Sequence, residues 1–162
     1  MQLTLRIPKQ VLDLARQDLA RPHAFAYERV GFFRCRPTTQ AGLVAVSGYD
    51  AISDSDYVPD STAGACIGAT AIQAALQRIL THQVGQIHVH WHEHNGPTRP
   101  SGTDLREQPR LVQSFQNIDD KLPHGIVILS NTHAWGVLLL PGTKKFQEAK
   151  KISVVSGGID FI

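Results

Sequence analysis

Hydrophobic and polar positions along this chain change period from one segment to the next, and the changes mark its elements. Val11, Leu12, Ala15 and Leu19 recur at helical spacing behind Pro8, which predicts a helix over about residues 8–20 that Arg21-Pro22 ends. Thr4 to Ile7, just before it, reads as a short edge strand. The run Phe25 to Phe33 has strand composition, and Leu43 to Val46 reads as its hairpin partner across the turn at Pro37 to Gly42. A polar stretch from Asp50 to Asp60 surrounds Tyr57-Val58-Pro59, and Ile72, Leu76 and Ile79 then share one face of a second helix predicted over 65–82. Gly85 separates that helix from a strand in which Ile87, Val89 and Trp91 alternate with polar residues. Asn95 to Ser101 holds Gly96, Pro97 and Pro100 and reads as a loop, and a third helix runs from Asp104 to about Asp119 with Leu111, Val112 and Phe115 inward. Strands are expected over Gly125 to Ser130, Ala134 to Leu140 and Ile152 to Val155. The order predicts a mixed β-sheet flanked by helices, an α/β or α+β layered sandwich, as one domain over residues 1–162 without internal repeat or linker.

The polar positions of the central strand change the picture. In Ile87-His88-Val89-His90-Trp91-His92-Glu93-His94 the histidines occupy every second place, so four imidazoles line one face while Ile87, Val89 and Trp91 fill the other. Half of the chain's 8 histidines lie in this segment, and Asp104 follows a short loop later. Imidazole and carboxylate are ligands that zinc accepts, and a catalytic zinc uses three of them and leaves one position open. Hydrolysis also needs a general base. Glu28 is the candidate: a lone carboxylate within the apolar run Phe25 to Phe33, where an unpaired charge is costly.

Together these residues resemble the JAB/MPN metallopeptidases that carry the JAMM motif: a glutamate on an early strand, then H-x-H, about seven residues, and S-x-x-D. Glu28-Arg29-Val30-Gly31 followed by Phe32-Phe33 is similar to the glutamate strand, and Arg99-Pro100-Ser101-Gly102-Thr103-Asp104-Leu105 to the serine–aspartate segment. The resemblance covers roughly residues 8–140. It implies a cytidine-deaminase-like layered sandwich with one zinc held by two histidines and Asp104, with Glu28 as general acid/base and Ser101 helping to stabilise the oxyanion. A strict seven-residue spacing before Ser101 falls on Glu93, so the histidine pair is His92/His94 or His90/His92. His92 belongs to both registers. His92/His94 is preferred, because Asn95-Gly96-Pro97 then follows the pair as a similar loop does in the family.

The same resemblance implies amide-bond hydrolysis, and the family's best-known substrates are ubiquitin-like proteins, whose extended C-terminal tails can lie beside an open strand edge. A compact chain without partner-binding arms looks like the bacterial branch of the family. The expectation is an isopeptidase or precursor-processing peptidase acting on a ubiquitin-like tail, with activating and conjugating enzymes encoded in the same operon. The alternatives are a zinc peptidase or amidase for an unrelated peptide or small amide, and a non-catalytic scaffold of the same fold.

Composition narrows the classes further. Hydrophobic content of 42% and a length of 162 residues suffice for a core without disulfides. A net charge of +2 argues for neither nucleic acid nor a membrane surface. Cys35 and Cys66 form no metal spacing and are expected as free, reduced thiols. Met1 to Pro8 lacks the basic and apolar regions of a signal peptide, and no apolar run approaches the ~20 residues of a membrane span, so a soluble cytoplasmic protein is expected. His133 is expected in a turn, His23 and His124 in loops beside prolines, Trp91 and Trp135 in the core, and Lys144-Lys145 and Lys150-Lys151 on a solvated surface.

Overall fold

A computed structural model of the chain describes residues 2–24, 27–60 and 62–156. The elements run β1 (Thr4–Pro8), α1 (Lys9–Leu19), β2 (Val30–Pro37), β3 (Leu43–Ala51), α2 (Ala69–His82), β4 (Gly85–Trp91), α3 (Gly102–Ile118), β5 (His124–Leu129), β6 (Ala134–Leu139), β7 (Phe146–Glu148) and β8 (Lys151–Val155). The fold is α/β: a mixed 8-stranded sheet in the order β7-β6-β5-β4-β2-β3-β1-β8, flanked by three helices. β1 lies parallel to β3 and β8, and β4 parallel to β5; the remaining neighbours are antiparallel.

The sheet curls until its edges meet. Ala149 N–H donates to Gly136 O of β6, and the next residue, Lys150, donates to Leu3 O beside β1, both at 2.9 Å. The chain thus passes from one edge strand, β7, directly to the other, β8. Curling covers sheet edges that would otherwise offer unpaired backbone groups. Phe146–Glu148 is the strand that the hydrophobic pattern leaves unannounced, because one half-buried Phe146 carries no alternation.

Inside the curl lies α1, whose Leu12, Ala15 and Leu19 pack with Leu5, Ile7, Phe33, Val46, Val89 and Leu129. Amphipathic spacing on α1 and the alternation of each strand produce this core together. On the outer face α2 and α3 cover Val30 and Phe32, with Ala71, Ala75, Ile79 and Phe115 buried there. The expected α2 face is rotated slightly: Ile79 is buried, while Ile72 and Leu76 pack partly covered. Small alanines face the sheet and let the helix approach it closely.

Three expected boundaries shift in ways that matter. β2 begins only at Val30, so Glu28 stands in a bend ahead of the strand; Phe25 and Ala26 lie outside the described residues. β3 runs on to Ala51, and α3 starts at Gly102, with Ser101 as its N-cap. No helix among the described residues is long and apolar enough to cross a membrane.

Candidate metal centre

β4 sits in the middle of the sheet, and its even positions face α2 and α3. Its register with β2 pairs Val30 with His90 and Phe32 with His88. Continuing that antiparallel ladder outward carries Glu28 opposite His92, and α3 brings Asp104 to the same point. His90 Nε2 and His92 Nε2 lie 3.1 Å apart. Asp104 Oδ2 is 3.6 Å from His90 Nε2 and 3.9 Å from His92 Nε2, and Glu28 Oε1 is 3.7 Å from His92 Nε2. Ligand atoms of Glu28, His90 and His92 all lie within 4.8 Å of one another.

The preferred pair His92/His94 is not the one that converges. His94 is exposed, its ring lies 6.1 Å from that of His92, and its Nδ1 is 3.1 Å from Asn95 O. The strand ends at Trp91, and the chain beyond it turns, so the alternation that aligns His88, His90 and His92 no longer governs His94. The two histidines brought together are those of His90-Trp91-His92, which leaves a longer spacing to Ser101.

Neighbours orient both imidazoles through their far nitrogens. Thr98 Oγ1 stands 3.1 Å from His92 Nδ1, and Gln108 Nε2 stands 3.3 Å from His90 Nδ1 while donating to Asp104 Oδ1 at 2.7 Å. Both Nε2 atoms are thereby directed at the shared space, as outer partners direct metal-binding histidines. Gln108 falls one helical turn after Asp104, and that i,i+4 spacing is a signal in the sequence that could have found it. Thr98 sits in an irregular loop and gives no such signal.

Ser101 and Asp104 do two things at once. Asp104 N–H donates to Ser101 Oγ at 3.2 Å and Ser101 N–H donates to Asp104 Oδ2 at 2.7 Å, a capping box that opens α3. The S-x-x-D spacing is therefore also the geometry of a helix start, and it fixes the carboxylate that faces the histidines. Burial works to raise the Asp104 carboxyl, but bonds and charge from His90 and the Ser101 cap outweigh it and hold the group well below the usual carboxylate range. Burial and the neighbouring His90 lower the His92 imidazole, and burial pushes His88 down to about 3. A neutral His92 imidazole and an ionised Asp104 carboxylate are states that metal ligation requires.

Glu28 is placed by its neighbours on either side. Glu28 N–H and Tyr27 N–H both donate to Gly64 O, at 2.9 and 2.8 Å. A Cβ on Gly64 would come within 2.9 Å of Glu28 Oε2, so a side chain there would displace the carboxylate. The next residue, Arg29, is buried; it donates to Arg21 O at 2.7 Å, to Pro22 O at 3.2 Å and to Asp54 Oδ1 at 2.7 Å. Tyr57 Oη in turn bonds both Val30 N and Val30 O at 3.0 Å. These ties hold Glu28 at the strand's mouth without making it part of the ladder.

Two clefts meet at this cluster, and Glu28 and Ser101 line both. One, of about 640 Å³, runs past Leu19 to His23, Tyr27, Trp91 and His92. The other, of about 460 Å³, lies between the 62–67 segment and α3 and reaches His88 and His90. A chain-like ligand crossing the cluster would occupy both.

No family model and no curated protein matches the sequence. Among solved structures the chain is similar to protein DSY2949 from Desulfitobacterium hafniense, a solution structure, at 16% identity over 94% of each chain with a TM-score of 0.47. That degree of likeness carries no argument about function.

The remaining residues fall as follows. His133 is exposed, its Nδ1 2.8 Å from Thr132 Oγ1, away from the cluster. His23 lines the first cleft, its ring 5.4 Å from that of Tyr57. His124, expected in a loop, instead opens β5 and is fully buried, because Pro123 precedes a central strand rather than a turn. Trp91 and Trp135 are partly buried and pack on the core, Trp91 lining the first cleft as well. Both cysteines are free: Cys35 is buried, and Cys66 lines the second cleft half-exposed. Lys144, Lys145, Lys150 and Lys151 are exposed, as expected, and Lys150 pairs with Glu148 at 2.6 Å.

Proposed function

We propose that this protein is a zinc-dependent amide hydrolase of JAB/MPN type that acts at the C-terminal tail of a ubiquitin-like protein. The observation that carries the reading is the convergence of His90, His92, Asp104 and Glu28. Tetrahedral zinc with bonds of ~2.0–2.1 Å separates its ligand atoms by about 3.3 Å. The separations of 3.1, 3.6 and 3.9 Å among the two Nε2 atoms and Asp104 Oδ2 bracket that edge. The donor set is the N,N,O set of a catalytic zinc site.

His90, His92 and Asp104 would hold the metal, which when bound supplies Lewis acidity toward a carbonyl and makes water acidic near neutral pH. A histidine that ligates through Nε2 carries its hydrogen on Nδ1 and needs an acceptor there. Thr98 Oγ1, 3.1 Å from His92 Nδ1, is that acceptor for His92. Glu28 takes a proton from the attacking water and returns it to the departing amine. The Ser101 hydroxyl, at the mouth of both clefts, donates to the oxygen that gains charge. The two clefts receive the acyl side and the amine side of an extended substrate, and small glycines at the tail's end fit the narrow crossing between them. The reading is of a soluble cytoplasmic enzyme working with activating and conjugating partners.

The test uses the zinc-loaded protein and a ubiquitin-like protein fused through its C-terminal glycine to a reporter. Cleavage after that glycine, abolished by a chelator, is expected. An intact fusion at one zinc per chain overturns the substrate. Cleavage of short unrelated peptides would then favour a general zinc peptidase, and no cleavage of any amide would favour a scaffold.

A further inference from the structure

Beyond Phe32, the face of β2 that α2 covers changes from apolar to basic. Arg34 and Arg36 follow Val30 and Phe32 at every second place, and α2 brings Arg78 to the same region. Arg78 lies 5.8 Å from the centre of the Phe32 ring. Arg34 reaches across β3 where Gly48 leaves room, since a Cβ at that position would overlap Arg34 Nη2. Asp50 joins the two arginines, its Oδ2 3.2 Å from Arg34 Nε and 3.1 Å from Arg78 Nε.

These contacts leave both charge and donors over. Two guanidiniums share one carboxylate, and Arg36 adds a further positive charge whose partner is an uncharged acceptor, His82 O at 3.2 Å. Burial lowers the Arg78 guanidinium, Asp50 raises it, and the charge of Arg34 lowers it again. Like charges held together in a half-buried place are costly until a counter-charge joins them. Both Nε atoms and Asp50 Oδ2 are enclosed. The terminal nitrogens of Arg34 and Arg78 are not, and none of them hydrogen-bonds a described residue. They are open to a ligand from solvent.

The donor set says which ligand. Guanidinium forks match the oxygens of carboxylates and phosphates. One fork uses up both oxygens of a carboxylate. A phosphate monoester offers three acceptor oxygens and more than one negative charge, enough for both forks and for the charge left over.

We propose that Arg34 and Arg78, aligned by Asp50 and Gly48, form a phosphate-binding site on the α2 side of the sheet, open to inorganic phosphate or a phosphate monoester. Arg36 strengthens the field there. The site lies further along β2 than the metal centre at the strand's mouth, and binding in it requires neither metal nor hydrolysis.

The test is an NMR titration of the zinc-loaded full chain that follows the Arg34 and Arg78 Nε–H signals and the ring nitrogens of His90 and His92. The probes are inorganic phosphate, methyl phosphate and acetate at constant ionic strength. Phosphate should shift both arginine signals saturably and bind at least about tenfold tighter than acetate, the worth of one more charge-assisted hydrogen bond. Methyl phosphate that binds alongside it supports a monoester as the occupant, and its exclusion supports free phosphate. Arg34→Lys keeps the charge but loses the fork, so affinity should fall by at least about tenfold. Gly48→Ala keeps every charge, displaces the Arg34 guanidinium and should weaken binding as well. Equal binding of acetate, unchanged affinity in Arg34→Lys, or shifts confined to the histidine rings, which would put phosphate on the metal, overturns the proposal. Should Gly48→Ala fail to fold, Arg34→Lys, at a partly exposed side chain, decides alone.

Discussion

Glu28 and His92 face each other across the mouth of the β2–β4 ladder, with Glu28 Oε1 3.7 Å from His92 Nε2. Their meeting follows from the pairing of Val30 with His90 one step further in. A single slip of that register would turn every imidazole to the other face of the sheet, so the hydrophobic packing of Phe32 and Phe33 on opposite faces also specifies the cluster.

The register predicts which histidines bind metal. Zinc titration of His90→Ala, His92→Ala and His94→Ala should show severe loss of affinity in the first two and near-parental affinity in the third. Asp104→Ala should lose metal as well, and Gln108→Leu should weaken binding by about 10–100-fold, the usual cost of removing a ligand's outer partner. Metal loss in His94→Ala equal to that in His90→Ala would reject the assignment.

Glu28→Gln should keep fold and zinc while losing hydrolysis. The amide is nearly isosteric and retains the backbone bonds to Gly64, yet it cannot accept a proton. A lost general base costs about 10²–10⁴-fold, and a residue that also protonates the leaving amine belongs at the upper end. Near-parental turnover in this variant would remove Glu28 from the mechanism.

Ser101 caps a helix and stands at the site, and two substitutions separate the roles. Ser101→Ala should cost about 0.5–2 kcal/mol in chemical denaturation, whereas Ser101→Gly should cost only a few tenths. Both remove the hydroxyl, so turnover should fall alike in the two. Turnover that tracks stability instead would assign Ser101 to the cap alone.

His124 should make the fold acid-sensitive. Burial holds its imidazole below the ordinary 6.5, although the bond to Asp119 O works the other way. Its Nδ1 accepts from Gln86 N–H at 3.2 Å, a bond that protonation destroys. With the folded pKa depressed, the unfolded chain binds more protons, so this stability is present above about 6.5 and is lost as pH falls below it. The slope is at most about 1.4 kcal/mol per pH unit for one proton. Urea midpoints of the parent should fall between about pH 7 and about pH 5 by more than those of His124→Asn, which keeps an acceptor for Gln86 but does not titrate. Parallel midpoints in the two proteins would refute it.

Local pattern determined much of this protein. Apolar recurrence at 11, 12, 15 and 19 makes α1, alternation at 87, 89 and 91 makes β4, and prolines and glycines break the loop before α3; each depends on residues a few positions apart. Alternation also assigns His88, His90 and His92 to one face, so the chemistry of the centre is legible before any fold. Which imidazoles meet a carboxylate is a different matter, decided by the offset between β2 and β4 and by where the Ser101 cap sets Asp104. Those contacts join positions tens of residues apart and leave no period in the sequence. The same holds for Glu28, put at the strand's mouth by Gly64 and the buried Arg29, and for the β7–β8 passage that exists only because the sheet curls. A strand's own pattern names its faces; only its neighbours decide which residues on a face come within bonding distance.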